Sequence, residues 1–186
     1  MQLIRNLKEK YGVSYDYHSV QININKMLSE KDYFFYDLQA RIQEKNLYID
    51  PEDNSLGREN QPHVTVLYGL TDDRDCFRIG KFLKKIPYFY ITLGKISLFT
   101  NDPNYDVVKV EIISPELVLI SNKIRDNCDN ENKYPDYQPH MTLAYVKKGA
   151  LINTENNIYE GKKILVKEFE FSHKENIYVS LELKKE

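Results

Sequence analysis

The 186-residue sequence has no tryptophan, two cysteines, seven glycines and seven prolines. Cys76 and Cys128 are too few and too far apart for a disulfide framework or a zinc knuckle, so they read as buried free thiols of a reducing cytosol. There is no linker-like tract of glycine, serine or proline and no low-complexity segment. No apolar run approaches the roughly 18 residues of a membrane-crossing helix. Met1-Gln2-Leu3-Ile4-Arg5 lacks the apolar stretch of a secretion signal. Charge of one sign is also missing: 26 basic against 28 acidic side chains leave a net charge of -2. That balance excludes a protein that coats duplex nucleic acid, but not a local basic cleft for a small phosphate ligand. The expectation is one monomeric or weakly oligomeric, cytoplasmic domain spanning residues 1–186, with no membrane partner.

Hydrophobic residues make up 41% and charged residues 29%, the composition of a globular chain. Alternation over 17–25 predicts a strand, and Ser29 with Phe34, Leu38 and Ile42 predicts a capped helix over about 30–46. A polar loop at 51–60 precedes a short strand at 62–68. Residues 73–86 read as a helix with Phe77, Leu83 and Ile86 in the core and Gly80 as a close-packing position. Runs at 88–99 and 105–113 flank Asn101-Asp102-Pro103-Asn104, which predicts a hairpin. Ser114-Pro115-Glu116 starts a helix whose Leu117, Ile120, Ile124 and Cys128 share a face. A second polar loop, 129–138, leads to a strand at 139–146, and 163–171 and 176–184 are further strands. The order is that of an α+β fold with hairpins, not a parallel βαβ alternation.

Two windows carry the chemistry. Gln61-Pro62-His63-Val64-Thr65-Val66-Leu67-Tyr68 and Gln138-Pro139-His140-Met141-Thr142-Leu143-Ala144-Tyr145 share Gln, Pro, His, Thr and Tyr at the same offsets. With only four histidines, two sharing Pro before and Thr two after arise by chance in about one in 10⁵ chains of ordinary composition. On a strand, residues two apart face the same side, so His63 projects with Thr65, and His140 with Thr142. Pro62 and Pro139 lack an amide donor and suit strand starts. If the strands are neighbours, two imidazoles and two hydroxyls share one pocket. That set suits phosphodiester cleavage without a metal: one His takes a proton, the other gives one, and the Thr hydroxyls hold the non-bridging oxygens. A metal held by the His pair is the weaker reading, since no Cys or carboxylate triad accompanies it.

The paired motif resembles that of the 2H phosphoesterase superfamily, which includes 2′,5′ RNA ligase-like proteins and cyclic phosphodiesterases. The resemblance implies a bilobal α+β fold, two pseudo-symmetric lobes of antiparallel sheet with flanking helices around a cleft. It also implies catalytic roles for His63, Thr65, His140 and Thr142, with no metal and no cofactor. Pro62 through Leu70, Tyr105 through Val110, and Tyr134 through Gly149 look like phage 2H proteins that destroy the cyclic oligonucleotide signals of bacterial CBASS immunity.

Other candidates are weaker. Tyr11, Tyr15 and Tyr17 are of a type that stacks on nucleobases, and Lys147 of a type that steers anions. Tyr68 and Tyr145, five residues past each His, face away from the pair by strand parity and read as core. His18 and His173 lack the motif and read as structural. The function expected is a metal-independent phosphodiesterase of cyclic di- or trinucleotides, acting through either water or a ribose 2′-hydroxyl. Its rivals are an enzyme of linear RNA ends and a non-catalytic sponge. Which His is base stays open.

Overall fold

The computed structural model describes residues 16–29, 32–51, 53, 55–134, 136–155, 157–175 and 177–185. Among them, eight strands form one sheet: β1 (His18–Asn23), β2 (His63–Leu70), β3 (Phe89–Phe99), β4 (Tyr105–Ile113), β5 (His140–Lys147), β6 (Lys163–Val166), β7 (Glu168–Ser172) and β8 (Tyr178–Glu182). Their spatial order is β6-β3-β4-β5-β2-β1-β7-β8, and every neighbouring pair is antiparallel. The two His-x-Thr strands, β5 and β2, are therefore the central neighbours, and the sheet falls into two four-stranded lobes on either side of them. The expected bilobal α+β fold is the observed one.

The predicted strand at 163–171 breaks at Lys167 into two strands that belong to different lobes. One residue can join positions one and seven of the order only if the sheet curls until its ends meet. Backbone bonds record that closure: Leu183 N donates to Lys167 O at 2.9 Å and Lys184 N to Ile86 O at 2.8 Å. Phe89 and Phe169 pack across it with ring centroids 6.2 Å apart.

Among the described residues four α-helices accompany the sheet, α1 (Ile24–Met27), α2 (Phe34–Ala40), α3 (Asp75–Leu83) and α4 (Pro115–Asn127), with one 3-10 turn at Glu44–Asn46. Helix α4 follows its sequence signals. Ser114 Oγ accepts from Leu117 N, Pro115 opens the first turn, and Leu117, Ile120, Ile124 and Cys128 are buried in one stripe. Helix α2 is shorter than predicted. Phe34, Leu38 and Ile42 are buried as expected, but Ser29 accepts from Asp32 N in a turn and the helix starts five residues later. Where it ends, the Arg58 guanidinium donates to the carbonyls of Gln39 and Ile42, which the helix leaves without i+4 partners. In α3 the buried stripe is Cys76, Ile79 and Leu83, so Phe77, one residue off that stripe, is 82% exposed and not in the core. Gly80 does mark a close approach, since a Cβ there would stand 3.2 Å from Leu181 Cδ2. Both cysteines are free and buried, and burial raises both thiol pKa values, Cys128 to about 12.

Candidate active site

The site grows from the point where the two motif strands touch. Each strand begins on its histidine, directly after a proline. The Pro62 carbonyl accepts from Ile24 N, the first residue of the helix that follows β1, and the Pro139 carbonyl from Ile112 N of β4, both at 2.9 Å, which ties each start to its own lobe. The only paired residues between β2 and β5 are Val64 and Met141. Antiparallel register about that pair sets Thr142 across from His63 and His140 across from Thr65. Val64 and Met141 are fully buried, while the four motif side chains on the opposite face are half-buried.

Both imidazoles are held alike. His63 Nδ1 lies 2.8 Å from the Gln61 carbonyl and His140 Nδ1 lies 2.7 Å from the Gln138 carbonyl. A carbonyl only accepts, so each Nδ1 carries a proton and Nε2 is left for proton exchange. The shared Gln and Pro thus acquire a meaning. The glutamine's carbonyl orients the ring, and the proline fixes the turn between them.

Strand parity fails beyond the threonines, and in the same way on both strands. The β1–β2 register slips between Val20 and Gln21, which pair with Leu67 and Thr65. The β4–β5 register slips between Val108 and Lys109, which pair with Ala144 and Thr142. Each slip inserts one residue, Val66 or Leu143, and two successive buried residues follow each threonine. The bulge turns Tyr68 and Tyr145 onto the histidine face, where both line the cleft and neither is core. This corrects the expectation from simple alternation.

Past the bulges the strands part, and each is paired by the loop that precedes the other's motif. Glu59 N donates to Leu143 O and Tyr145 N to Gly57 O, while Glu131 N donates to Gly69 O. Buried carbonyls at the bulges are satisfied by helix side chains: Ser121 Oγ of α4 donates to Val66 O at 2.8 Å, and Gln39 Nε2 of α2 to Leu143 O at 2.7 Å.

A cavity of about 640 Å³ opens beside Thr65, His140 and Thr142. Its walls are aromatic, with Tyr68, Phe99, Tyr105, Tyr134, Tyr137 and Tyr145. Tyr137 is anchored by its hydroxyl, which donates to Thr65 O at 3.0 Å, and burial raises its pKa. Arg125 also lines the cavity and donates to the Tyr134 carbonyl. Of the weaker sequence candidates, Tyr17 meets Tyr68 edge to face at 5.7 Å, outside the cavity wall. Tyr11 and Tyr15 lie outside the described residues. Lys147 sits at the exposed end of β5, does not line the cavity, and donates to the Lys45 carbonyl at 2.8 Å. His18 and His173 pack on each other and on Phe171, away from the motif pair.

Sequence reasoning missed the residues that make the two sides unequal. Lys109 is buried, donates to Ser97 Oγ at 2.7 Å and lies 4.3 Å over the Phe99 ring centroid. A lone lysine inside the run Val107-Val108-Lys109-Val110 was the available signal. Across the pseudo-axis Gln21 stands in its place, bonded to buried Glu170, which Asn23 and Lys26 also contact. The imidazole of His140 has its pKa lowered, chiefly by burial and further by Lys109 and His63, against the opposing pull of the Gln138 carbonyl. Among the described residues no three His, Cys, Asp or Glu side chains converge as metal ligands, and no helix is long and apolar enough to cross a membrane.

Residues 37–160, which contain both motifs, match the family model described as the 2′-5′ RNA ligase superfamily. The chain belongs to that superfamily. Within it, the duplicated bulged strand and the paired His-x-Thr are read as the two halves of a 2H phosphoesterase-type cleft. Solved structures share the fold of this superfamily member at low identity. TT0787 of Thermus thermophilus has 14% identity and a TM-score of 0.61, with 91% of this chain and 99% of that one covered. E. coli LigT complexed with phosphate has 16% identity and a TM-score of 0.56, with 92% and 96% covered. LigT complexed with 3′-AMP has 15% identity and a TM-score of 0.55, with 90% and 95% covered. Comparison with curated sequences gives no significant match.

Proposed function

We propose that this superfamily member is a metal-independent phosphodiesterase that opens 3′,5′ bonds of cyclic di- or trinucleotide signals, and that it thereby counteracts CBASS immunity. The reading is carried by one observation: His63, Thr65, His140 and Thr142 meet about a local two-fold axis, with each ring held through Nδ1 and Nε2 left over. In this reading the scissile phosphate sits between the Nε2 atoms. One imidazole takes the proton of the attacking oxygen as the new P–O bond forms. The other gives its proton to the leaving oxygen as the old bond breaks. The Thr65 and Thr142 hydroxyls donate to the non-bridging oxygens, where charge gathers.

Nucleobases fit the aromatic walls beside this phosphate position, because rings of any base stack on tyrosine and phenylalanine. The cavity lies within the roughly 300–1,000 Å³ of small-ligand sites. A net charge of -2 with no extended basic track favours a small substrate over long RNA. The resemblance to phage 2H proteins supplies the biological setting.

A second reading is favoured by the family itself and by LigT, whose structures hold phosphate and 3′-AMP: cleavage or ligation at 2′,3′-cyclic phosphate or 2′,5′-linked RNA ends. Turnover assays in excess chelator decide between them. Cyclic dinucleotides, cyclic trinucleotides and short RNAs with a 2′,3′-cyclic phosphate are the three substrate sets. Multiple turnover confined to the cyclic oligonucleotides is expected. Turnover of RNA ends alone would replace the first reading with the second. Stoichiometric binding without turnover would reject both in favour of a sponge.

A further inference from the structure

The two-fold plan makes the histidines interchangeable, so whatever assigns their roles must be something the two lobes do not share. The register gives the correspondence. Gln21 pairs with Thr65 and Asn23 with His63, as Lys109 pairs with Thr142 and Glu111 with His140. One strand further out, Glu170 pairs with Gln21 as Ser97 pairs with Lys109. A cation thus stands in the His140 lobe where an amide stands in the His63 lobe. Lys109 and His140 flank the same ring: the ammonium lies over Phe99, and His140 meets Phe99 in a T-shaped contact at 4.8 Å. Burial lowers the pKa of Lys109, while the Glu111 carboxylate, the Ser97 hydroxyl and the Phe99 face work in the other direction and favour the charged amine.

We propose that Lys109 is a positioning residue that sets the direction of proton transfer, making His140 the base and His63 the acid. This rests on the phosphodiesterase reading above. His140 Nε2 accepts the proton of the attacking oxygen as that oxygen bonds to phosphorus. The leaving oxygen departs with the bonding pair and takes the proton from His63 Nε2. The charged or titratable groups facing His140 are Lys109 and Glu111 on β4 and His63 on β2. Phe99 on β3 is neutral, and the same cavity is reached by Asp102 from the β3–β4 turn, Arg125 from α4, Asp136 from the loop before β5, and the hydroxyls of the lining tyrosines. Glu111 is half exposed and 3.9 Å from the ammonium, so solvent screens it more than it screens the buried lysine.

Carbon-labelled histidine resonances, assigned through single His variants, follow His140 in the wild type, Lys109→Met, Lys109→Gln and Lys109→Arg. The titration midpoint of His140 should rise in the two neutral variants and return in Lys109→Arg. In the pH profile of kcat/KM, the low-pH limb should move up with it. At a pH on that limb, kcat/KM should fall about two- to tenfold relative to each variant's own plateau. An unmoved His140 midpoint in the folded neutral variants overturns the proposal whatever the activity. So does a loss of kcat/KM that is uniform across pH, which would make Lys109 a phosphate contact. Absence of any phosphodiester turnover in the wild type is a separate result, and it defeats the functional reading itself.

Discussion

Around His63 and around His140 the backbone repeats itself. Each histidine follows a proline, bonds back to a glutamine carbonyl, precedes a threonine and then a bulge, and ends beside a tyrosine turned into the cleft. The second layer does not repeat. One side has Lys109, Ser97 and Phe99, and the other has Gln21, Asn23 and a Glu170–Lys26 pair. In the proposed reading the repeated backbone builds the phosphate position, and the surrounding side chains give it direction. A reaction with an attacking and a leaving oxygen needs both.

The largest expected effect tests the repeated part. His63→Ala and His140→Ala should each lower kcat/KM by about 10²- to 10⁴-fold or more, with a cooperative melting transition retained because both rings are only half-buried. If one variant kept near wild-type rates, the two-fold plan would not be the catalytic plan. Thr65→Val and Thr142→Val should each cost about 10²-fold in kcat, the loss of one donor to the developing charge. Unequal losses would show that the phosphate sits off the axis. Tyr145→Ala, which removes part of the aromatic wall, should raise KM by about tenfold, from about 1–3 kcal/mol of stacking per base. A change in kcat alone would place the base elsewhere.

The same comparison extends to stability. Ser121→Ala strips the side-chain donor from the buried Val66 carbonyl and should destabilise the fold by about 1–3 kcal/mol in denaturant melts, whereas Gln39→Leu leaves the Leu143 carbonyl its bond from Glu59 N and should cost only about 0.5–1.5 kcal/mol. The smallest effect is in pH. The lowered pKa of His140 means that it loses its proton more readily than an ordinary imidazole. Activity should therefore persist below the pH where an ordinary imidazole base would fail, and decline only as pH falls through the lowered value. A low-pH limb at or above the ordinary imidazole range would contradict the base assignment.

Much of this was legible from residues alone. The His-x-Thr pairs, the prolines at the strand starts, the hairpin turn at 101–104 and the cap of α4 all depend on local chemistry, and each is found where the sequence puts it. Tyr68 and Tyr145 were misread because a bulge is a property of two strands, and the slipped partner is far away in the chain. Lys109 and Gln21 were hidden for a related reason. Their importance comes from register across three strands, which neither alternation nor spacing within one strand records. The break at Lys167 belongs to the same class: nothing in residues 163–171 states that the sheet curls until its ends meet.

The most direct test of the central claim is product analysis by mass spectrometry of 3′,3′-cyclic GMP-AMP with excess EDTA, using wild type, His63→Ala and His140→Ala. The account predicts multiple-turnover ring opening by the wild type, retained in chelator and lost in both variants. Ring opening that survives both substitutions, or that chelation abolishes and a divalent ion restores, would contradict it.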